Sequence, residues 1–145
     1  MSFRTGRVVL FGDCDAGGAV YTPRVSDFVV EAALEFLSFA LGAPAARTIM
    51  AMGVLPPARA LTIEFLHPLT WDEQIELEVA VHAIGQRSFS LEIVARNTAG
   101  ADAFRAMLTQ VSVCSRTRRS VALPGELRMA LERTTALRED RRAES

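Results

Sequence analysis

The sequence predicts an α+β fold in which an antiparallel β-sheet of about five strands curves around one long central α-helix. Three observations lead to this prediction: an apolar helical segment at residues 24–41, one apolar strand before it, and four segments of strand periodicity after it. A helix that is apolar on nearly every side has to be covered by other structure. We therefore expect the sheet to wrap the helix.

The first half of the chain contains a strand and the central helix. Residues 3–12 end in an apolar run and predict a strand, and residues 13–22 form an acidic, Gly-rich loop. The helix at residues 24–41 has Pro23 in its first turn and Gly42 after its last residue, both typical of helix boundaries. A short second helix is expected at residues 44–53. Along the central helix, acidic and hydroxyl side chains form one narrow polar stripe: Asp27, Glu31, Glu35 and Ser38.

The second half of the chain is built from strands. Period-two segments separated by turn residues predict four strands in meander order, at residues 60–67, 72–84, 87–97 and 103–116. A C-terminal helix is expected at residues 124–137. Residues 1–137 therefore form one domain, and residues 138–145 are a charged tail. Because an open sheet leaves an unpaired edge strand, we expect at least a dimer.

The composition excludes several classes of function. The net charge of −1 gives no global field that would attract nucleic acid or an anionic membrane. All 16 basic residues are arginine, which excludes chemistry on a lysine amine. The sequence shows no secretory signal, no membrane span and no cluster with metal-ligand spacing, and its two cysteines make no disulfide framework. We expect a cytoplasmic protein that needs no metal or cofactor.

The loop between the first strand and the central helix is the most informative segment. It contains Asp13, Asp15 and the pair Gly17-Gly18, and no Lys, His or Arg. A carboxylate can attack a carbonyl or take a proton, and the free N–H groups of a helix N-terminus can stabilise an oxyanion. On spacing alone the two acids are better explained as turn or cap residues.

Residues 11–24, FGDCDAGGAVYTPR, resemble the active-site segment of the 4-hydroxybenzoyl-CoA thioesterase family and the related bacterial acyl-CoA thioesterases. The resemblance continues more weakly over residues 71–73, residues 87–89 and the last long strand, and so covers roughly residues 5 to 117. It implies the hotdog fold, a homo-oligomer that is a dimer or a tetramer, and hydrolysis of an acyl-CoA thioester. The matching positions of the motif are Phe11, Asp13, Asp15, Gly18, Val20 and Tyr21.

The resemblance also implies roles for individual residues. Asp15 matches the catalytic carboxylate, which acts either as nucleophile or as general base for water. The backbone amide of Thr22 matches the oxyanion donor, and Gly18 permits close approach of the substrate. Asp13 is expected to brace the loop through backbone N–H groups. Tyr21 is expected to contact the substrate beside Thr22.

Substrate contacts are expected in three further places. By resemblance, the turn that contains Arg87 and Ser88 holds CoA phosphates, and Arg105 is a weaker candidate; arginine suits phosphate because of its forked donors. Another hotdog branch uses a helix carboxylate as its catalytic group, which leaves Glu31 or Glu35 as an alternative acid. Glu31 also matches a Glu often present in the bacterial acyl-CoA thioesterases and is a candidate substrate contact. His67 and His82 are predicted to be structural.

Several alternatives stay open. The basic turn carries only one arginine, which leaves room for an acyl-carrier-protein thioester in place of acyl-CoA. A non-catalytic acyl-CoA-binding protein would use the same cleft, and a partner-binding protein would use Asp15 only as a turn residue. The acyl group itself is not specified by the sequence.

Overall fold

The protein forms one curved antiparallel sheet against a long helix. A computed structural model describes the backbone of residues 3–144 and the side chains of residues 3–135. The sheet comprises β1 (Phe3–Val8), β3 (Ala58–Phe65), β4 (Gln74–Ile84), β5 (Ser88–Arg96) and β6 (Asp102–Val111). The helices are α1 (Thr22–Leu41), α2 (Ala45–Ala51) and α3 (Gly125–Glu144), and a small ribbon pairs β2 (Val54–Leu55) with β7 (Val113–Cys114).

The central helix α1 packs against the inner face of the sheet. It begins at Thr22 and ends where Gly42 adopts the left-handed conformation (φ 67°) that favours glycine. Strands β4 and β5 alternate buried and partly exposed residues, as expected for a sheet with one covered face. The predicted arrangement of about five strands around a long helix is therefore confirmed. The buried residues of α1 are Val25, Phe28, Val29, Ala32, Ala33, Phe36 and Leu37.

The strand order differs from the predicted meander. Strands β4, β5 and β6 are consecutive neighbours, but the order across the sheet is β1-β4-β5-β6-β3. Strand β3 thus pairs with β6 at the far edge instead of with β4, and the chain must cross the end of the sheet to reach β4. Periodicity identifies strands but not their partners, which is why the meander prediction was wrong for β3. The crossing segment, residues 66–73, carries part of the candidate site.

Two predicted element ends also differ. Strand β1 stops at Val8, and a 3₁₀ turn covers Phe11–Asp13, because the Asp13 carboxylate accepts the Leu10 N–H at 2.9 Å and turns the chain. The C-terminal helix continues to Glu144, beyond the predicted end at residue 137. The side chains of the predicted charged tail, residues 138–145, lie outside the described residues.

Helix α2 follows α1 after a sharp bend. The Ser38 hydroxyl accepts the Ala45 N–H at 2.9 Å and satisfies one of the free donors at the start of α2. Among the described residues, no single helix is long and apolar enough to cross a membrane. Helices α1 and α2 meet that test of length and composition only as a pair, with a 65° bend between them.

Candidate active site

The acidic loop folds into a tight hairpin that presents Asp15. The Asp15 N–H donates to the Ala19 carbonyl at 2.9 Å, and its own carbonyl accepts the Gly18 N–H at 3.0 Å. The Asp15 carboxylate is exposed, and Oδ1 accepts the Gly17 N–H at 2.9 Å. Oδ2 has no hydrogen-bond partner among the described residues. The turn therefore holds the carboxylate in place and leaves one oxygen available.

Gly18 is required by both backbone and packing. Its φ of +82° is one that side chains rarely adopt, and a Cβ there would lie 3.4 Å from the Trp71 ring. Thr70 anchors the same residue, since its hydroxyl donates to the Gly18 carbonyl at 2.7 Å. The crossing segment from β3 to β4 therefore supports the hairpin from one side.

Asp13 fixes the base of the hairpin. It is 4% exposed, its Oδ2 accepts the Leu10 N–H, and its main-chain carbonyl accepts the Tyr21 N–H at 2.9 Å. The guanidinium groups of Arg7 and Arg24 lie 3.5 Å and 3.8 Å from its carboxylate. Because Tyr21 is the N-cap of α1, Asp13 ties β1, the hairpin and the helix start together. The predicted bracing role is confirmed.

The Arg7 side chain continues this network onto α1. Its guanidinium lies 4.0 Å from the centre of the Phe28 ring, a cation–π contact, and its Nη1 pairs with Glu31. The Thr5 hydroxyl likewise donates to Glu35. Glu31, a predicted substrate contact, is therefore engaged with the edge strand β1 in this chain.

The N-terminus of α1 opens onto an apolar cleft of about 340 Å³. Thr22, the first helical residue, lines this cleft, and its backbone N–H has no partner among the described residues. Such an N–H sits at the positive end of the helix dipole and is a ready donor to an oxyanion. The remaining lining residues are Ala19, Val20, Val25, Phe65, Leu66, His67, Pro68, Leu69, Ala103 and Phe104.

Asp15 lies beside the cleft and does not line it. Its hairpin partner Ala19 does line the cleft, and the next residue, Val20, donates its N–H to the Leu69 carbonyl at 2.8 Å. The second arm of the hairpin, residues 19–22, thus runs from Ala19, which is paired with Asp15, to Thr22 at the helix start. The exposed side chain of Tyr21 stands between them in sequence, at the helix N-cap.

The structure does not bring the predicted phosphate-binding residues to this cleft. Arg87 and Ser88 are at the end of β4 that is remote from the hairpin, and the eleven residues of β4 span roughly 35 Å. There the Arg87 guanidinium donates to the Ser120 hydroxyl at 3.3 Å. Arg105 is nearer, but it lies on the outer face of the sheet, where it pairs with Asp102 at 2.8 Å.

His67, which the sequence analysis predicted to be structural, lies at the cleft. Strand β3 ends at Phe65, so His67 belongs to the crossing segment and lines the cleft with Thr22. Its Nδ1 lies 2.9 Å from the Asp102 carbonyl oxygen. A signal was present in the sequence, because the following Pro68 marks the end of a strand.

The thiol next to Asp15 is not activated. Burial raises the pKa of Cys14, and the negative charges of Asp13 and Asp15 raise it further. Since the thiolate is the nucleophilic form, this environment does not favour attack by Cys14. Within the described part of the chain, no group of three His, Cys, Asp or Glu side chains is arranged to hold a metal ion.

Comparison with known protein families agrees with the thioesterase class that the acidic loop and the fold indicate. The sequence matches the thioesterase-like superfamily over residues 9–131. The chain therefore belongs to this superfamily, and we identify it as a hotdog-fold thioester hydrolase. A search of curated protein sequences gave no significant match.

Solved structures share the whole fold at low sequence identity. A gentisyl-coenzyme A thioesterase is 23% identical, with a TM-score of 0.80 over 89% of this chain and 99% of its own. A 1,4-dihydroxy-2-naphthoyl-CoA thioesterase from Synechocystis is 20% identical, with a TM-score of 0.81 over 90% and 96%. A DHNA-CoA thioesterase from Staphylococcus aureus is 16% identical, with a TM-score of 0.85 over 94% and 93%. These likenesses establish the hotdog fold.

The bracing role of Asp13 predicts a stability effect. Asp13→Asn removes the charge that Arg7, Arg24 and the Leu10 N–H share, so we expect the free energy of unfolding to fall by about 1–3 kcal/mol. Urea unfolding followed by circular dichroism measures this. Asp27→Asn is the matched control, because Asp27 is exposed and its surface ion pair with Arg24 contributes little. Equal stability of the two variants would contradict the bracing role.

Proposed function

We propose that the chain hydrolyses an acyl-CoA thioester with Asp15 as the reacting carboxylate and the Thr22 N–H as the oxyanion donor. The acyl group would occupy the apolar cleft, and its carbonyl would lie at the cleft mouth between the Asp15 carboxylate and the Thr22 N–H. Gly18 would allow the thioester to approach the backbone closely. The observation that carries this proposal is the unpartnered Thr22 N–H at a helix N-terminus, at the wall of an apolar cleft beside Asp15.

Two reaction courses are compatible with this geometry. In the first, an oxygen of Asp15 attacks the thioester carbon, the C–S bond breaks, and the resulting mixed anhydride is hydrolysed by water. In the second, Asp15 takes a proton from a water molecule that attacks the same carbon directly. Both courses place negative charge on the carbonyl oxygen, where the Thr22 N–H would stabilise it.

The carrier of the acyl group is part of the proposal. The structural relatives are named for CoA thioesters, and one similar protein from Staphylococcus aureus was solved in complex with CoA. None of the described residues that line the cleft is an arginine, and Arg87 is roughly 35 Å away along β4. A CoA molecule in the cleft would therefore reach Arg87 only from a second copy. A thioester on an acyl carrier protein is the second candidate substrate. Comparing the hydrolysis rates of one acyl group on CoA and on the carrier protein distinguishes the two.

The catalytic role of Asp15 is tested by Asp15→Asn. We expect kcat to fall by roughly 100-fold or more, because the amide neither attacks nor accepts a proton. Thiol release from a panel of aryl, short-chain and long-chain acyl-CoAs measures the rate.

The control for this variant is Asp72→Asn. Asp72 is exposed, and its φ of 69° is a conformation that asparagine adopts as well as aspartate does. Full activity of Asp15→Asn would rule out the proposed carboxylate. Tight binding of acyl-CoA by the wild-type protein without turnover would favour the non-catalytic alternative.

We also propose that the chain acts as a homo-oligomer joined through β3. This edge strand has eight residues, seven of them exposed, and its outer edge is unpaired in the sheet. An exposed strand of this length with apolar side chains is a template for pairing with another chain. A second copy on β3 would also stand next to Phe65, which lines the cleft.

The dimer proposal predicts that Leu61→Lys weakens association. Leu61 is on β3 and outside the cleft, so a charge there opposes strand pairing without altering the cleft lining. Sedimentation velocity over a range of concentrations should show a shift from oligomer to monomer. Met129→Lys on α3 adds the same charge at an exposed apolar position and should leave the oligomer intact. A wild-type monomer would overturn the proposal.

A further inference from the structure

Among the described residues that line the cleft, His67 is the one with a titratable side chain, and the mechanism above does not use it. Apart from Thr22, the residues that line the cleft with His67 are apolar or small. A lone polar side chain in an apolar binding site orients or selects a ligand by hydrogen bonding. The role of His67 therefore depends on what its ring can offer to a bound acyl group.

The hydrogen bond of Nδ1 fixes the chemistry of the ring. The partner of Nδ1 is the main-chain carbonyl oxygen of Asp102, 2.9 Å away, and a carbonyl can only accept. Nδ1 must therefore carry the proton, and in the neutral ring Nε2 is left as an acceptor. Nε2 has no partner among the described residues. The backbone at His67 is also held, because its N–H donates to the Ala103 carbonyl at 3.0 Å.

We propose that His67 is a specificity-determining residue that accepts a hydrogen bond from a hydroxyl group on the acyl chain or ring of the substrate. The preferred substrate would be a compact apolar acyl group that carries one hydroxyl. This inference rests on the proposed function, because it assumes that the acyl group occupies the cleft. His67 is exposed in the free chain, so a bound acyl group that covers the ring without offering a hydroxyl would deprive Nε2 of water and give no partner in return. Sites built around a hydrogen bond discriminate against such analogues.

The experiment compares matched pairs, benzoyl-CoA with its hydroxylated forms and butyryl-CoA with 3-hydroxybutyryl-CoA. We expect wild type to prefer a hydroxylated member by about tenfold or more in kcat/KM. His67→Leu should reduce that preference by a similar factor, and His67→Gln, which retains an acceptor, should restore part of it. His82→Leu, an exposed histidine on β4, is the control and should keep the wild-type preference. Thermal melts check that each variant is folded.

The outcomes separate this inference from the proposed function. Hydrolysis without any hydroxyl preference, or an equal loss of kcat/KM for both members in His67→Leu, overturns the role of His67 and leaves the thioesterase intact. Absence of hydrolysis with every substrate overturns the proposed function. In that case the affinities of the same substrate pairs, measured by calorimetry, test the role of His67. A higher affinity for the hydroxylated member that His67→Leu abolishes would support this role. Equal affinities for the two members would overturn it.

Discussion

The buried carboxylate of Asp13 joins three parts of the chain that the site requires in fixed positions. Its side chain accepts the Leu10 N–H at the end of β1, and its main-chain carbonyl accepts the Tyr21 N–H at the start of α1. A buried carboxylate is tolerated only when it is paired and hydrogen-bonded, and Arg7 and Arg24 provide that pairing. Because both ends of the hairpin are tied to Asp13, the positions of Asp15 and of the Thr22 N–H are coupled.

The polar stripe of α1 serves this arrangement. Glu31 pairs with Arg7, and Arg7 in turn lies over Phe28 and reaches Asp13. The edge strand β1 is thereby fixed to the helix by charge as well as by packing. Strand β1, which leads into the hairpin, is thus held against α1, whose N-terminus faces the cleft. Glu31 and Glu35 thus hold β1 against α1, and the exposed Asp15 lies outside this network.

The sequence was sufficient to predict the central helix, the strands and the acidic loop, because each has a local signal. Pro23 and Gly42 mark the helix ends, and period-two segments mark the strands. It was not sufficient to predict that β3 lies beyond β6, because strand partners are set by tertiary packing. That crossover carries His67 into the cleft and places Trp71 against Gly18, so these two contacts depend on long-range topology. The motif resemblance gave Asp15 and Thr22 as candidate site residues but no position for Arg87 relative to them.

In the mechanism that we propose, the N–H at the start of α1 receives the thioester carbonyl while the acyl group fills the adjacent cleft. A crystal structure of the wild-type protein with a ketone analogue, in which a methylene separates the carbonyl from the CoA sulfur, tests this directly. We expect the carbonyl oxygen to lie about 2.7–3.1 Å from the Thr22 nitrogen, with the acyl group between Val25 and Phe104. A carbonyl bound away from Thr22, or an acyl group in the groove between α1 and α2 beside Met50, would contradict it.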